Sequence, residues 1–370
     1  MRVLVCGAGV IGAAVAYFLT RRGITVSLIE RTDVACAASG KSGGFLALDW
    51  CDGSPLEPLA RRSFVLHAEL AESLGVDYGY RRMTTYSGHA DAREPTLASD
   101  DLDVGWLSDR VSLDRRLGTT ETTAQIDPAR FTRAMVDAAM EAGAELVTGT
   151  VTNVMRTDDG TRAIGVTVDG KPVTGDAVVV AMGPWSILAS AWMRMPPVFG
   201  LKGHSVIYGA ESSLPADALF IDMREASGAV SSPEVFPRPD GTTYICGVSS
   251  EVGLPVDPGA VEPDPEAIER LEAMASAMSP ALTNAPVLAR QACFRPLTRD
   301  GLPLIGVVPG LESAYVATGH SVWGMLNAPA TGEALAELIV DGIARTVDLS
   351  AFDPGRMPPF DPTRLDLQAH

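Results

Sequence analysis

Three glycines near the start of the chain have the spacing of a turn that could bind a dinucleotide. Gly7, Gly9 and Gly12 form the pattern G-x-G-x-x-G, and Val10 and Ile11 stand between the last two. In such a turn the first glycine allows the tight bend, and the second lets a pyrophosphate reach backbone N–H groups at a helix N-terminus. The third lets the helix pack closely on the strand. We therefore predict that these residues form a phosphate-binding turn.

An acidic residue at the end of the next predicted strand supports this interpretation. Glu30 follows Gly12 by eighteen positions, which is the reach at which a carboxylate accepts hydrogen bonds from a ribose hydroxyl. The same carboxylate would repel a 2′-phosphate, so NADP is disfavoured. FAD and NAD share this fingerprint, and the motif by itself leaves both dinucleotides open.

Alternating strands and helices must position this turn. Gly23 and Gly342 are typical of residues that end a helix, and Asp127 followed by Pro128 is typical of a helix start. The hydrophobic pattern predicts strands at 3–6, 25–30, 145–147, 151–156, 163–168, 176–181 and 314–317, and helices at 11–22, 58–74, 131–142 and 328–341. We therefore predict an α/β fold in which a Rossmann-like dinucleotide-binding domain is built on a parallel sheet.

Two other stretches lack this alternation and predict a second domain. Residues 78–125 hold short strand-like stretches, and residues 196–286 hold Pro- and Gly-punctuated strands with one helix. A chain of 370 residues also exceeds the about 250–300 that one core usually supports. We predict an α+β insertion with a mainly antiparallel sheet that binds substrate. The predicted dinucleotide-binding domain is 1–77, 126–195 and 287–370, and the predicted substrate-binding domain is 78–125 and 196–286.

Composition and charge exclude several classes of protein. The net charge of −17 argues against nucleic acids and anionic lipid surfaces as partners. The five cysteines form no C-x-x-C pair and no metal-like spacing with histidine, so we expect no metal, no disulfide framework and a reducing cytoplasm. The chain has no run of eighteen apolar residues and no signal-peptide pattern at its start, so no membrane span is expected.

Three further regions decide between the two dinucleotides. They are ASGKSGGF at 38–45, VVVAMGPWS at 178–186, and the pair formed by CFRPLTRDGLPLIG at 293–306 and TGHSVWGMLNAPATG at 318–332. Together they resemble the D-amino-acid oxidase (DAO) superfamily of flavoproteins, which includes glycine oxidase and sarcosine oxidase. The resemblance implies that the dinucleotide is FAD.

The resemblance also implies which residues contact FAD. In the family the loop at 38–45 crosses the pyrophosphate and reaches the flavin, and the helix after the 318–332 turn points its N-terminus at the flavin C2 carbonyl. A helix N-terminus there stabilises the anionic reduced flavin. Beyond the glycine turn and Glu30, the implied FAD contacts are Arg31, Ser39, Gly40, Lys41, Ser42, Gly43, Gly44, Phe45, Val151, Gly183, Trp185, Cys293, Gly319, His320, Gly324 and Met325.

Three residues are candidates for the catalytic site. Arg295 stands where glycine and D-amino-acid oxidases place the arginine that binds the substrate carboxylate, although an ion pair within the fold is the alternative. Trp323 lies in the turn near which the sarcosine oxidases have a lysine. Its ring could stack on a bulky or aromatic substrate, wall off the flavin or pack within the fold. His320 is expected to orient the turn or a flavin atom rather than to act as a base.

Cys293 leaves two interpretations open. In sarcosine oxidases a cysteine in this strand is bonded covalently to the flavin 8-methyl group. A small apolar cysteine that packs against the ring is the alternative. The cofactor is therefore FAD, either covalent through Cys293 or noncovalent.

The resemblance implies an FAD-dependent oxidoreductase that oxidises the C–N bond of an amino acid or secondary amine. In the family a hydride passes to flavin N5, the imine is hydrolysed, and O2 is reduced to H2O2. The alternatives are a flavin-dependent dehydrogenase or biosynthetic tailoring oxidase on a larger amine, or a nonenzymatic FAD-binding regulator. The expected partners are a small-molecule amine and O2, with the protein a monomer or dimer.

Overall fold

The structure is a computed structural model that describes residues 1–96, 102, 104–209 and 214–365. Its strands are β1 (Arg2–Cys6), β2 (Thr25–Glu30), β3 (Phe45–Ala47), β4 (Arg81–Arg82), β5 (Thr84–Asp91), β6 (Val111–Gly118), β7 (Thr123–Gln125), β8 (Glu145–Thr148), β9 (Val151–Arg156), β10 (Ala163–Val168), β11 (Lys171–Thr174), β12 (Ala177–Val180), β13 (Phe199–Gly209), β14 (Asp217–Arg224), β15 (Val230–Ser231), β16 (Glu234–Pro237), β17 (Thr242–Ser250), β18 (Val287–Leu297), β19 (Leu304–Val307) and β20 (Ala314–Thr318). Its α-helices are α1 (Val10–Thr20), α2 (Ala38–Lys41), α3 (Glu57–Ser73), α4 (Pro128–Glu141), α5 (Pro265–Met278), α6 (Pro280–Thr283) and α7 (Gly324–Asp341).

A six-stranded sheet carries the glycine turn. Its strand order is β19-β20-β12-β1-β2-β8, and each neighbouring pair is parallel except β19 with β20. Val3 and Val5 pack with helices α1, α3, α4 and α7, whereas Leu4 and Cys6 pack against β9 and β10 on the opposite face. Because both faces are buried, these strands are continuous apolar runs. The predicted Rossmann-like part of the fold is confirmed.

A second, mainly antiparallel sheet stands across from the glycine turn. Its order is β18-β13-β17-β16-β14-β5-β6, with β15 paired to β14 and with β14 and β5 as the parallel pair. One face packs on helix α5 through Val206, Ile245 and Leu271. The other face is turned toward the glycine turn. The mixed α/β fold class, with one parallel and one antiparallel sheet, is confirmed.

Two pairings differ from the domain boundaries that the sequence indicated. Strand β18, which those boundaries put in the dinucleotide-binding domain, pairs with β13 along its length, and Cys293 lies opposite Gly203. The reason is that the long strand β13 needs backbone hydrogen-bond partners on both edges, and β18 supplies one of them. Strands β4 and β7, from 78–125, lie outside the large sheet and form a three-stranded sheet with β3, in which β7 pairs with both β3 and β4. The division into two domains stays a prediction, and the pairings of these strands run across its boundaries.

Helix α7 begins four residues earlier than predicted and contains Pro329. Proline disfavours a helix interior because it has no N–H to bond to the carbonyl four residues back, which here belongs to Met325. His67 of α3 supplies the missing donor, because its Nε2 lies 3.0 Å from the Met325 oxygen and 3.1 Å from the Leu326 oxygen. Both neighbours of Nε2 are acceptors, so this nitrogen carries the proton.

A second residue of α3, Ser63, also forms a hydrogen bond to the backbone of α7 next to the proline. The Ala330 N–H donates to Ser63 Oγ at 3.0 Å, and both partners are buried. Burial lowers the pKa of His67 to about 4, so the ring is neutral near pH 7. Helix α3 therefore allows α7 to start before its proline. None of the helices within the described ranges is long and apolar enough to cross a membrane.

Candidate active site

A cleft of about 400 Å³ runs between the two large sheets. Its floor is formed where β1, β2, β12 and β20 end, and its lining includes Gly7, Glu30, Ala181 and Thr318. Open α/β sheets bind ligands in this crevice, outside the carboxyl ends of parallel strands. The volume falls in the range of about 300–1,000 Å³ that is usual for small-molecule and cofactor sites.

The glycine turn has the geometry that its motif predicts. Gly7 has a φ of +107°, and a Cβ at this position would lie 2.5 Å from the Ala181 oxygen. A Cβ at Gly12 would lie 1.9 Å from the Gly7 oxygen. Neither position therefore accepts a side chain without a shift of the backbone. Gly9 is the N-cap of α1 and presents bare backbone to the cleft.

Hydrogen bonds fix the groups around this turn. The Val10 N–H donates to Ser39 Oγ at 2.9 Å, which ties the start of α1 to the loop at 38–45. Glu30 accepts from the Ala8 N–H at 2.8 Å and from the Thr32 N–H at 3.0 Å. The carboxylate is thus held at the edge of the cleft, where its predicted ribose contact would occur.

The segment between β17 and α5 is held beside the same end of the cleft. Arg31 Nη1 donates to the Val256 oxygen at 2.9 Å, and Trp185 Nε1 donates to the Pro255 oxygen at 2.7 Å. Both side chains line the cleft. They use these polar atoms within the protein, so their predicted cofactor contacts would have to come from their remaining surfaces.

The loop at 38–45 contains one helical turn, α2, and is anchored to the antiparallel sheet. Lys41 Nζ donates to the Ala292 oxygen at 3.1 Å, and the Tyr244 hydroxyl donates to the Lys41 oxygen at 3.2 Å. A Cβ at Gly43 would lie 2.5 Å from the ring of Phe236. The loop therefore passes tightly over this sheet and reaches the cleft along its middle.

Arg295 places a positive charge on the side of the cleft formed by the antiparallel sheet. Its Nη2 donates to Ser249 Oγ at 2.5 Å, and its guanidinium passes over Gly203, where a Cβ would lie 3.7 Å from Nε. Within the described part of the chain no carboxylate lies within 4.0 Å of this guanidinium, and Nε has no hydrogen-bond partner. An ion pair within the fold therefore does not occupy Arg295, and its fork is available to a ligand.

His320 lines the cleft as a neutral, buried side chain. Its Nε2 lies 3.1 Å from Thr331 Oγ1 on α7, and Nδ1 has no protein partner. Burial lowers the pKa of His320 to about 3, because the charged ring would lose its hydration. The geometry fits a residue that orients the turn before α7 and presents Nδ1 to a ligand.

Cys293 also lines the cleft, two residues before Arg295 on β18. Burial raises the pKa of its thiol, and the charges of Lys41 and Arg295 oppose this shift only in part. The thiol form is therefore favoured over the more reactive thiolate.

The structure separates the sequence-predicted residues into two groups. Those that line the cleft are Gly7, Gly9, Val10, Ile11, Glu30, Arg31, Ser39, Lys41, Ser42, Gly43, Val151, Gly183, Trp185, Cys293, Arg295, His320, Gly324 and Met325. Those outside its lining are Gly12, Gly40, Gly44, Phe45, Gly319 and Trp323. In the second group, Phe45 stacks on Phe236 with ring centroids 5.5 Å apart, and Trp323 lies edge-on to Trp50 at 6.5 Å. Their placement fits support of the loop and the turn.

Several residues that line the cleft were not predicted from the sequence. Glu234, Cys246 and Ser249 come from β16 and β17, outside the three regions that carry the family resemblance. The alternation of these strands could have put Glu234 and Phe236 on one face, but no motif indicated which face meets the cleft. From the sequence, His204, Tyr208 and Tyr244 could each line a pocket or pack in the core. In the structure His204 and Tyr244 line the cleft, whereas Tyr208 packs against α5.

The cleft fits an extended flavin dinucleotide. At Gly183, whose φ is +54°, no atom lies within 4 Å of an added Cβ, so bare backbone is open to a ligand. Ser42, Arg295 and His320 each keep a buried polar atom without a protein partner, and all three line the cleft. A polar ligand that spans the cleft would satisfy them.

Comparison with known proteins decides the family. The sequence model of a family described as DAO, FAD dependent oxidoreductase, matches residues 2–338. The chain belongs to the DAO family. Family membership implies FAD as the cofactor of this DAO-family protein and identifies it as an oxidoreductase. A putative oxidoreductase of Schizosaccharomyces pombe is 30% identical to it, over 95% of this chain and 97% of the relative.

Two further comparisons involve a glycine oxidase. The glycine oxidase of Geobacillus kaustophilus is 27% identical, over 91% of this DAO-family chain and 92% of the relative. A crystal structure of glycine oxidase from this organism superposes with a TM-score of 0.80 at 24% identity, and covers 96% of this chain and 99% of that one. The structural likeness supports the fold, while the substrate must be argued from the cleft.

Proposed function

We propose that this protein oxidises the C–N bond of an amino acid or related amine that carries a carboxylate. The observation that carries the proposal is Arg295, whose guanidinium lines the cleft, bonds to Ser249 and has no carboxylate within 4.0 Å in the described ranges. A planar guanidinium binds a carboxylate through two parallel charge-assisted hydrogen bonds, which fix both its position and its orientation.

The residues of the chain then have separate tasks. Bound FAD supplies the acceptor for the two electrons that leave the substrate carbon as a hydride, and O2 takes them onward as H2O2. Arg295 holds the carboxylate so that the C–H bond faces the cofactor side of the cleft. The Gly324 end of α7 lines the cleft and places a helix N-terminus where negative charge can be stabilised.

The electrons and atoms of the reaction balance with FAD as the one cofactor. The amine must be neutral when the hydride leaves, because its lone pair forms the C=N bond. Water then hydrolyses the imine to a carbonyl compound and ammonia or a smaller amine. His320 is neutral and buried, so we assign it to orientation of the turn and not to proton transfer.

Anaerobic reduction tests the proposal. FAD-loaded protein is mixed with amino acids and N-methyl amino acids without oxygen, and the flavin absorbance is followed. We expect bleaching by at least one carboxylate-bearing amine, then recovery of colour and formation of H2O2 when air is admitted. Fully loaded protein that no such amine bleaches would contradict the proposal, and bleaching without reoxidation by air would indicate another electron acceptor.

We expect the flavin to be noncovalent, although Cys293 lines the cleft. Burial raises the pKa of this thiol, so little thiolate is present for attack on the flavin. Acid precipitation should release all yellow colour into the supernatant, and Cys293→Ala protein should bind the same amount of FAD. Colour that stays in the pellet for the unmodified protein, and leaves it for Cys293→Ala, would establish a covalent bond.

A further inference from the structure

A carboxylate at the Arg295 end of the cleft has no task in the proposed function. Glu234 of β16 lines the cleft, and its one hydrogen bond in the described structure comes from the Cys246 thiol at 3.5 Å. No lysine or arginine nitrogen in the described ranges lies within 4.0 Å of it. A thiol is a weak donor, so Glu234 lacks the cation or strong donors that buried carboxylates usually have.

The sheet register brings Glu234 and Arg295 to the same part of the cleft. Glu234 lies directly opposite Cys246 in the β16–β17 pair. Ser249, which accepts the hydrogen bond from Arg295, lies three residues further along β17. The cleft therefore presents one negative and one positive head group from neighbouring positions, and the two form no ion pair with each other.

The surroundings of Glu234 favour a positively charged ligand group. Burial raises the pKa of Glu234, and the hydrogen bond from Cys246 and the charge of Arg295 each oppose this shift by a smaller amount. A partly buried carboxylate whose one side-chain donor is a thiol is poorly compensated, and a cation that enters the cleft would recover that free energy through a charge-assisted hydrogen bond. Arg295 cannot serve as this cation, because it bonds to Ser249 and remains more than 4.0 Å away.

The amine that is oxidised cannot be the lasting partner of Glu234. It must lose its proton before the hydride leaves, as the proposed function requires. A cation that stays on Glu234 through the reaction therefore belongs to a second nitrogen of the substrate. We propose that Glu234 binds a second, protonated nitrogen and that the cleft selects amino acids with a side-chain amine or guanidine. This inference rests on the proposed function and names its substrate class.

Matched pairs of ligands test the inference on the FAD-loaded protein. Lysine is compared with norleucine, and arginine with citrulline, because each pair differs chiefly in the distal charge. Dissociation constants are measured anaerobically from perturbation of the flavin spectrum and from the concentration dependence of bleaching. We expect the charged member of each pair to bind at least 10-fold more tightly. In Glu234→Gln we expect the two members to bind within about 2-fold of each other.

Two further variants make the result decisive. Glu251→Gln removes the same charge from an exposed position outside the cleft, just after β17, and should keep the full preference. Glu234→Asp keeps the charge and should keep part of the preference, so it replaces Glu234→Gln if the latter does not load FAD. Equal binding of the two members to the unmodified protein, or an undiminished preference in Glu234→Gln, overturns the inference.

The outcome is separable from that of the proposed function. The spectral titration reports binding whether or not the flavin is reduced. A charge preference that disappears in Glu234→Gln, in a protein that no amine bleaches, would support the cation site and contradict the oxidation. Bleaching by neutral amino acids with no effect of Glu234→Gln would do the reverse.

Discussion

Replacement of Arg295 by leucine is expected to weaken carboxylate binding about 100-fold and to lower anaerobic flavin reduction at subsaturating substrate by a similar factor. A bidentate pair between guanidinium and carboxylate contributes two charge-assisted hydrogen bonds, and a loss of about 2.7 kcal/mol corresponds to 100-fold in affinity. Arg295 donates to Ser249 only through Nη2, so its remaining N–H groups are free for a ligand. Leucine keeps the apolar stem and removes these donors.

The measurement is a titration of FAD-loaded protein with acetate, followed by the flavin spectrum, and a rapid-mixing measurement of reduction. Arg299→Leu is the matched control, because Arg299 is exposed, lies four residues further along the chain and does not line the cleft. Arg295→Lys should fall between the two, since an ammonium group lacks the planar fork. Unchanged acetate binding in Arg295→Leu would contradict the assignment of Arg295 as the carboxylate-binding residue, on which the proposed function depends.

The glycine turn could be predicted from sequence because its constraints are local. Gly7 and Gly12 are required by atoms of their own strand and turn, and by the neighbouring end of β12. Glu30 ends the next strand, so its position follows from the same short motif. The segment at 293–306 was recognised from its resemblance to the DAO family, and the alternation of β18 turns Cys293 and Arg295 to one face, where both line the cleft.

Residues that depend on distant pairings could not be predicted. Glu234 reaches the cleft only because β16 pairs with β17 in the register that sets it opposite Cys246, and no local pattern encodes that register. The sequence left Trp323 open between stacking on a substrate, walling off the flavin and packing in the fold, and in the structure its ring lies edge-on to Trp50, outside the cleft lining. Helix α7 was predicted to start after its true first residue, because its proline is compensated by a side chain of another helix.

His67→Phe is expected to destabilise the protein by about 2–4 kcal/mol. Phenylalanine fills a similar volume but has no N–H, so the carbonyls of Met325 and Leu326 would be left buried without donors. Each such loss costs about 1–3 kcal/mol. The free energy of unfolding is measured with urea at pH 7 on apoprotein and on FAD-loaded protein. A weaker affinity for FAD is also expected, because Gly324 and Met325 of the first turn of α7 line the cleft.

The pH dependence of stability and a second substitution distinguish hydrogen bonding by His67 from simple packing of its ring. Folding lowers the pKa of His67 from 6.5 to about 4, so the unfolded chain binds a proton more readily and stability falls as the pH drops from about 6.5 to 4. The slope should be shallower in His67→Phe. Pro329→Ala restores a backbone N–H that can bond to the Met325 oxygen, so His67→Phe should cost less in that background. An equal cost in both backgrounds would show that His67 stabilises the protein by packing, and that the proline in α7 needs no external donor.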